Sequence, residues 1–141
     1  RLALSTAELE LATTLLGQPY RISGRVRHGD KRGRTIGFPT LNLRVPQHVA
    51  LRKGVYAVRV MGLGETAVYG VANVGVRPTV HGMEHRLEAH LFDFNQQVYG
   101  KHICVEPVAF LRDEMKFSSF DDLKTQIARD AEQARAIFRL G

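Results

Sequence analysis

The sequence predicts a mainly β domain: an antiparallel barrel or sandwich of about six strands, with a helix at each end. Three observations carry that expectation. Residues 20–112 consist of short β-branched or aromatic runs divided by glycine and proline, which is how strands joined by turns read. Nowhere in that stretch does a strand-like run alternate with a helical one, so a parallel, doubly wound sheet is set aside. The last segment, FSSFDDLKTQIARDAEQARAIFRL, changes period and repeats its apolar residues at helical spacing.

Taken in order, residues 5–17 (STAELELATTLLG) read as a short helix. Ser5 is its N-cap with Glu8 as capping-box partner, Gly17 fits the position after the last turn, and Pro19 blocks continuation. Strands are expected near 21–28, 41–45, 54–61, 66–74, 85–93 and 101–110. In the fifth, alternation puts Leu87, Ala89 and Leu91 on one face and Glu88 and His90 on the other. In the closing helix Phe120, Leu123, Ile127, Ala131, Ala134 and Phe138 form the apolar stripe, and Ser119 caps it. Asp121 and Asp122 fall in the first turn, where the helix dipole favours negative charge. This helix is expected to cover one side or opening of the β-core.

The 141 residues are 44% hydrophobic and 24% charged, ordinary for one globular domain with a core of its own. No apolar run approaches the ~20 residues of a membrane helix, and residues 1–16 are amphipathic, unlike a secretion signal. The lone cysteine, Cys104, lies in an alternating apolar run and cannot close an intramolecular disulfide, which fits a reducing cytoplasm. The net charge of +6 points to anionic partners. Between residues 21 and 59 stand Arg21, Arg25, Arg27, Lys31, Arg32, Arg34, Arg44, Arg52, Lys53 and Arg59, opposed only by Asp30.

That basic stretch contains GDKRGRTIGFPTLN, residues 29–42. Gly29, Gly33 and Gly37 can bring backbone N–H groups close to phosphate oxygens, with Lys31, Arg32 and Arg34 to balance the charge. The loop is neither a Walker A nor a protein-kinase glycine loop, and a solvated hairpin of the same composition stays an open reading. Pro39 biases Phe38 to an extended conformation, so Thr40 and Asn42 project to one face of the strand that follows. A hydroxyl and an amide oxygen are hard, neutral ligands that suit Mg²⁺ when substrate phosphates complete its shell. They equally suit the polar face of a half-exposed strand. Glu88 has two readings as well: a base for an alcohol, or a strand carboxylate paired with an arginine. Facing a barrel mouth, it would need a partner or a task. His81 and His85 lie four residues apart, but the residues between them are not those of a zinc hydrolase and Gly82 signals a turn.

The order G-D-x-x-G-R-x-x-G-F-P-T-x-N, G-V-Y, G-V-A-N-V-G-V-R-P-T, E-A-H-L-F-D-F, Y-G-K, F-L-R-D-E-x-K-F resembles the riboflavin kinase family. It looks most like the C-terminal kinase module of bacterial bifunctional riboflavin kinase/FAD synthetases, over about residues 19–138. The resemblance implies a small closed antiparallel six-stranded Greek-key-like barrel with a flanking C-terminal α-helix and a short N-terminal helix. It implies a connector at 1–18, following an FMN adenylyltransferase module, and the kinase domain at 19–141.

It also implies roles. Gly29, Arg34 and Gly37 would belong to a flap over ATP, and Thr40 and Asn42 would serve the magnesium–nucleotide complex. The family has alanine where Leu41 stands, a departure that points to the opposite face. Glu88 matches the catalytic glutamate, Leu91, Asp93 and Tyr99 the nucleotide positions, and Arg112, Met115 and Phe117 the flavin positions. The implied reaction is phosphorylation of the riboflavin ribityl 5′-hydroxyl by ATP, giving FMN and ADP, in the cytoplasm, with neither nucleic acid nor membrane as partner. Two alternatives remain: a basic barrel binding single-stranded nucleic acid, which leaves Thr40, Asn42 and Glu88 without a task, or a flavin-binding module without activity.

Overall fold

Six strands follow one another: β1 (Ile22–Arg25), β2 (Thr40–Val45), β3 (Gly54–Met61), β4 (Val68–Thr79), β5 (Gly82–Leu91) and β6 (His102–Arg112). One helix, α1 (Phe120–Phe138), comes after them. The computed structural model describes residues 21–27, 38–45, 51–94, 96 and 98–140. The helix expected over 5–17 and the loop from Gly29 to Gly37 lie outside these residues.

The strands form a single antiparallel sheet in the order β1-β6-β3-β4-β5-β2. β3, β4 and β5 run as a meander, while β6 returns to insert between β1 and β3. The two outer strands meet just past the end of β1, where the Arg27 amide donates to the Asn42 carbonyl at 2.8 Å. That bridge makes the sheet a nearly closed barrel and decides between the barrel and the sandwich.

Alternation puts Ile22, Leu43, Tyr56, Val58, Val60, Leu87, Leu91, Ile103 and Val105 inside, each almost without solvent contact. Full burial of one such aliphatic side chain contributes about 1.5–3 kcal/mol. A second apolar layer lies outside the barrel, where Val55, Ala57, Val71 and Phe92 meet Ala131 and Ala134 of α1. The helix therefore packs on the outer face of β3 and β4 rather than across an opening of the barrel. Its start is as expected: the Ser119 side chain accepts from the Asp122 amide at 3.1 Å. It ends with Arg139 in the left-handed region at φ 58°.

The strand limits that differ most from the sequence reading meet at one hairpin. β4 and β5 extend past the expected limits into a hairpin that turns at Val80-His81. Pro78 lies within β4, but beyond Val74 the strand is paired with β5 alone, so the proline interrupts at most one ladder. In β6, Pro107 is tolerated because the register with β3 slips between Ala57 and Val58. A second slip between Val55 and Tyr56 leaves Arg112 opposite Val55, beside the face that α1 covers.

Candidate active site

The polar faces of β2 and β5 lie side by side. Thr40 is paired with His90 and Asn42 with Glu88, while Asn73 of β4 flanks Glu88 on the other side. Leu41, Leu43, Leu87, Ala89 and Leu91 point into the barrel, so Thr40, Asn42, Arg86, Glu88 and His90 share its outer surface. Glu88 thus faces outward, beneath the segment leading to α1, and not into the barrel mouth. The reason is register: the mouth-facing positions of β5 are all taken by apolar residues.

Within this row the side chains are already engaged. Thr40 Oγ1 lies 3.2 Å from His90 Nδ1, and His90 Nε2 lies 3.4 Å from Glu88 Oε1. Arg86 donates to Asn42 Oδ1 at 3.1 Å. Asn42 is 4% exposed, so it is not the half-exposed strand residue that the simpler reading required.

Glu88 and His90 also form one wall of a cleft of about 110 Å³ between the sheet and α1. Val55, Val71 and Asn73 continue that wall, and Arg112, Glu114, Met115, Phe117, Leu123, Ile127 and Asp130 close the other side. The lining is an apolar slot with a few convergent polar groups, the usual make-up of a small-molecule site. Arg112 is fixed within it. Its Nε and one terminal nitrogen donate to the two oxygens of Asp130 at 2.9 and 2.8 Å, and the other terminal nitrogen donates to the Asp113 carbonyl at 3.1 Å. Asp130 is 2% exposed and also accepts from Gln126 at 3.0 Å, so this buried carboxylate is well compensated. The Arg112 guanidinium stands 5.9 Å from the centre of the Phe117 ring.

Of the sequence-expected residues, Thr40, Asn42 and Glu88 form one row, and Glu88, Arg112, Met115 and Phe117 share one cleft. Leu91 follows His90; its side chain is in the core and its amide donates to the Pro39 carbonyl at 3.0 Å, so a role there rests on backbone or packing. Asp93 has a left-handed backbone at φ 53° and lies 3.4 Å from Arg135 of α1, whose guanidinium stacks 4.6 Å above Phe92. Tyr99 lies apart from the cleft, in an open hollow of about 380 Å³ with Arg25, Val26, Arg27 and Gly100. Gly29, Arg34 and Gly37 are outside the described residues.

The sequence reading gave no role to Asn73, Arg86, His90, Glu114 or Asp130. For His90 the alternation with Glu88 was the signal. For Asp130 it was a carboxylate between Ile127 and Ala131 on the apolar stripe, a position that needs a buried partner.

Residues 16–138 match the family model described as Flavokinase, riboflavin kinase. A bifunctional riboflavin kinase/FMN adenylyltransferase of Haemophilus influenzae is 54% identical over 138 residues, 98% of this chain and 45% of that protein. The Escherichia coli K12 protein of the same description is also 54% identical, over 99% of this chain and 45% of that protein. The Bacillus subtilis one is 46% identical, over 98% and 45%. The chain thus spans about 45% of the length of these relatives. A crystal structure described as a macrolide-efflux protein from Streptococcus pneumoniae superimposes with a TM-score of 0.84 at 38% identity, over 95% of this chain and 44% of that one. Riboflavin kinase from Trypanosoma brucei shares the fold, with a TM-score of 0.58 at 20% identity over 86% and 81%. The matched family model runs through every described strand and the helix that closes the cleft, and by that match the chain belongs to the riboflavin kinase family.

Proposed function

We propose that this domain transfers the γ-phosphoryl group of ATP to the ribityl 5′-hydroxyl of riboflavin, giving FMN and ADP. One observation carries the reading: Glu88 belongs both to the row with Thr40 and Asn42 and to the cleft with Arg112 and Phe117. A base at that junction reaches a hydroxyl that enters from the cleft and delivers it toward phosphates held at the row. The flavin ring lies against Phe117 and Met115, with Arg112 held by Asp130 so that its charge stays at the slot.

The residues of the row fit a hard divalent cation. Thr40 Oγ1 and Asn42 Oδ1 are neutral oxygens on one face of β2, and such sites take Mg²⁺ together with substrate phosphates. In this reading Thr40 and Asn42 hold Mg²⁺, which when bound offsets phosphate charge. Arg86 has to share or release Asn42 Oδ1 for that contact. Glu88 orients the hydroxyl and takes its proton, and positioning supplies most of the catalysis. Gly29, Arg34, Gly37, Asp93 and Tyr99 serve the nucleotide. In the whole protein, an FMN adenylyltransferase module precedes this domain, residues 1–18 connect the two, and 19–141 form the kinase. Among the described residues no helix is long and apolar enough to cross a membrane; a cytoplasmic location is part of this proposal.

The test is product formation from riboflavin and ATP with and without Mg²⁺, resolved by chromatography. Metal-dependent FMN together with ADP is the expected result. Riboflavin binding with no FMN would leave a flavin-binding module, and salt-sensitive oligonucleotide binding with no flavin binding would favour the nucleic-acid reading. The aromatic contacts weigh against that last reading. Phe38 packs on Phe92, Tyr56 on Phe110 and Tyr69 on Phe138, so these rings face one another instead of forming an open stacking surface.

A further inference from the structure

His90 is 4% exposed and touches two residues to which the proposed reaction assigns separate tasks. Its Nδ1 is 3.2 Å from Thr40 Oγ1, and its Nε2 is 3.4 Å from Glu88 Oε1. A buried imidazole is costly unless both nitrogens are satisfied. An ionised carboxylate only accepts, so the hydrogen belongs on Nε2, which faces Glu88 Oε1 at 3.4 Å, an ion-pair-range contact. Nδ1 is then an acceptor, and the group it faces is the Thr40 hydroxyl, which donates to it. The other acceptor near that hydroxyl, the Phe38 carbonyl, is farther away at 3.5 Å, and using it would leave Nδ1 facing an oxygen lone pair.

This arrangement has consequences at both ends. With its hydrogen turned to the imidazole, Thr40 keeps its lone pairs for a cation, which is what an alcohol ligand must present. With Nε2 3.4 Å from one of its oxygens, the Glu88 carboxylate is drawn toward the imidazole and thereby oriented. We propose that His90 is a positioning residue that prepares both halves of the site: Thr40 as a metal–nucleotide ligand and Glu88 as the base. The proposal rests on the riboflavin kinase reading above and adds a residue to it.

Two substitutions separate the two contacts. An asparagine amide reaches where Nδ1 stands, so His90→Asn keeps an acceptor for Thr40 and loses the donor to Glu88. A glutamine amide reaches where Nε2 stands, so His90→Gln keeps the donor to Glu88 and loses the acceptor for Thr40. The experiment measures Mn²⁺·ADP binding by electron paramagnetic resonance, and FMN turnover at saturating metal and substrates, in the intact protein. His90→Gln is expected to weaken Mn²⁺·ADP binding about tenfold or more while saturated turnover changes little. His90→Asn is expected to bind Mn²⁺·ADP like the wild type and to lose about tenfold or more in turnover. Matching losses in both readouts for both variants, or no loss in either, would overturn the proposal. If one variant fails to fold by circular dichroism, the other still decides, because each must keep one readout and lose the other. A wild type that makes no FMN defeats the kinase reading instead, and the Mn²⁺·ADP measurement then still tests the hold on Thr40.

Discussion

At the scale of single residues, Glu88 and Asp130 are both carboxylates of the cleft, and their surroundings separate their tasks. Glu88 is partly open and stands where a hydroxyl can reach it; Asp130 is buried and fully occupied by Arg112 and Gln126. Glu88→Ala should therefore lower turnover by roughly a hundredfold or more while ATP affinity changes little. Steady-state kinetics checks this, and equal losses in both would make Glu88 structural. Asp130→Ala leaves the Arg112 guanidinium without its carboxylate. It should cost about 2–3 kcal/mol in a denaturant titration and weaken riboflavin binding as well. Glu88 was legible because the strand alternation around it is clean. The Arg112–Asp130 pair was not, since its partners lie at the end of β6 and midway along α1 and meet only once α1 has packed on the sheet. Asn42 lay between: its face was read correctly, but it is covered by groups remote in sequence, with Arg27 past the end of β1 bonded to its carbonyl and Arg86 of β5 bonded to its side chain.

At the scale of elements, β4 and β5 approach so closely at Gly70 that an added Cβ would run into the His90 carbonyl. Gly70→Ala should destabilise by about 1–3 kcal/mol, and it should also disturb the site, because the strand it displaces carries His90 and Glu88. A thermal melt together with the FMN assay distinguishes the two effects. The end of α1 offers the opposite case. Arg139 adopts a left-handed backbone that an L side chain disfavours, and its amide donates to the Ala136 carbonyl at 3.2 Å. Arg139→Gly should stabilise by roughly 0.5–1 kcal/mol, read as a raised unfolding midpoint. The helix itself was readable from cap to stripe, since cap, dipole and periodicity are all local signals. The length of the β4–β5 hairpin was not, because the cost of a strand proline depends on how many neighbours the strand has.

At the scale of the whole molecule, pH stability is tied to the centre of the barrel. Tyr56 is enclosed and donates to the Arg52 carbonyl at 2.6 Å, and burial pushes its phenol far above the ordinary 10.0. The neutral form is the one that fits. The stabilisation is complete below pH 10.0 and is lost progressively above it, as the unfolded chain releases a proton that the native chain retains. Denaturant midpoints on either side of that pH should show the fall. Tyr56→Phe should abolish the part of it due to this group, at a cost of about 1 kcal/mol near neutrality for the lost hydrogen bond. The number of strands and their places along the chain were legible from turn residues and alternation. Closure came only with the family resemblance, because a seam between β1 and β2 is a long-range event that no local pattern encodes.

The insertion of β6 between β1 and β3 also sets a timetable for synthesis. Ile22 finds Val105 and Val60 finds the same residue from the other side, so the strand that joins them is the last of the six to be made. A nascent chain lacking β6 leaves β1 and β3 with open edges and no Arg112 to receive the helix. Contacts so distant in sequence form slowly. Until they do, the exposed edges are places where two chains on neighbouring ribosomes can pair with each other. The domain should therefore depend on its final third being translated without pause. A stalling sequence placed so that β1–β5 have left the ribosome but His102–Arg112 has not should raise the aggregated fraction more than the same stall placed after an added linker long enough for β6 to emerge.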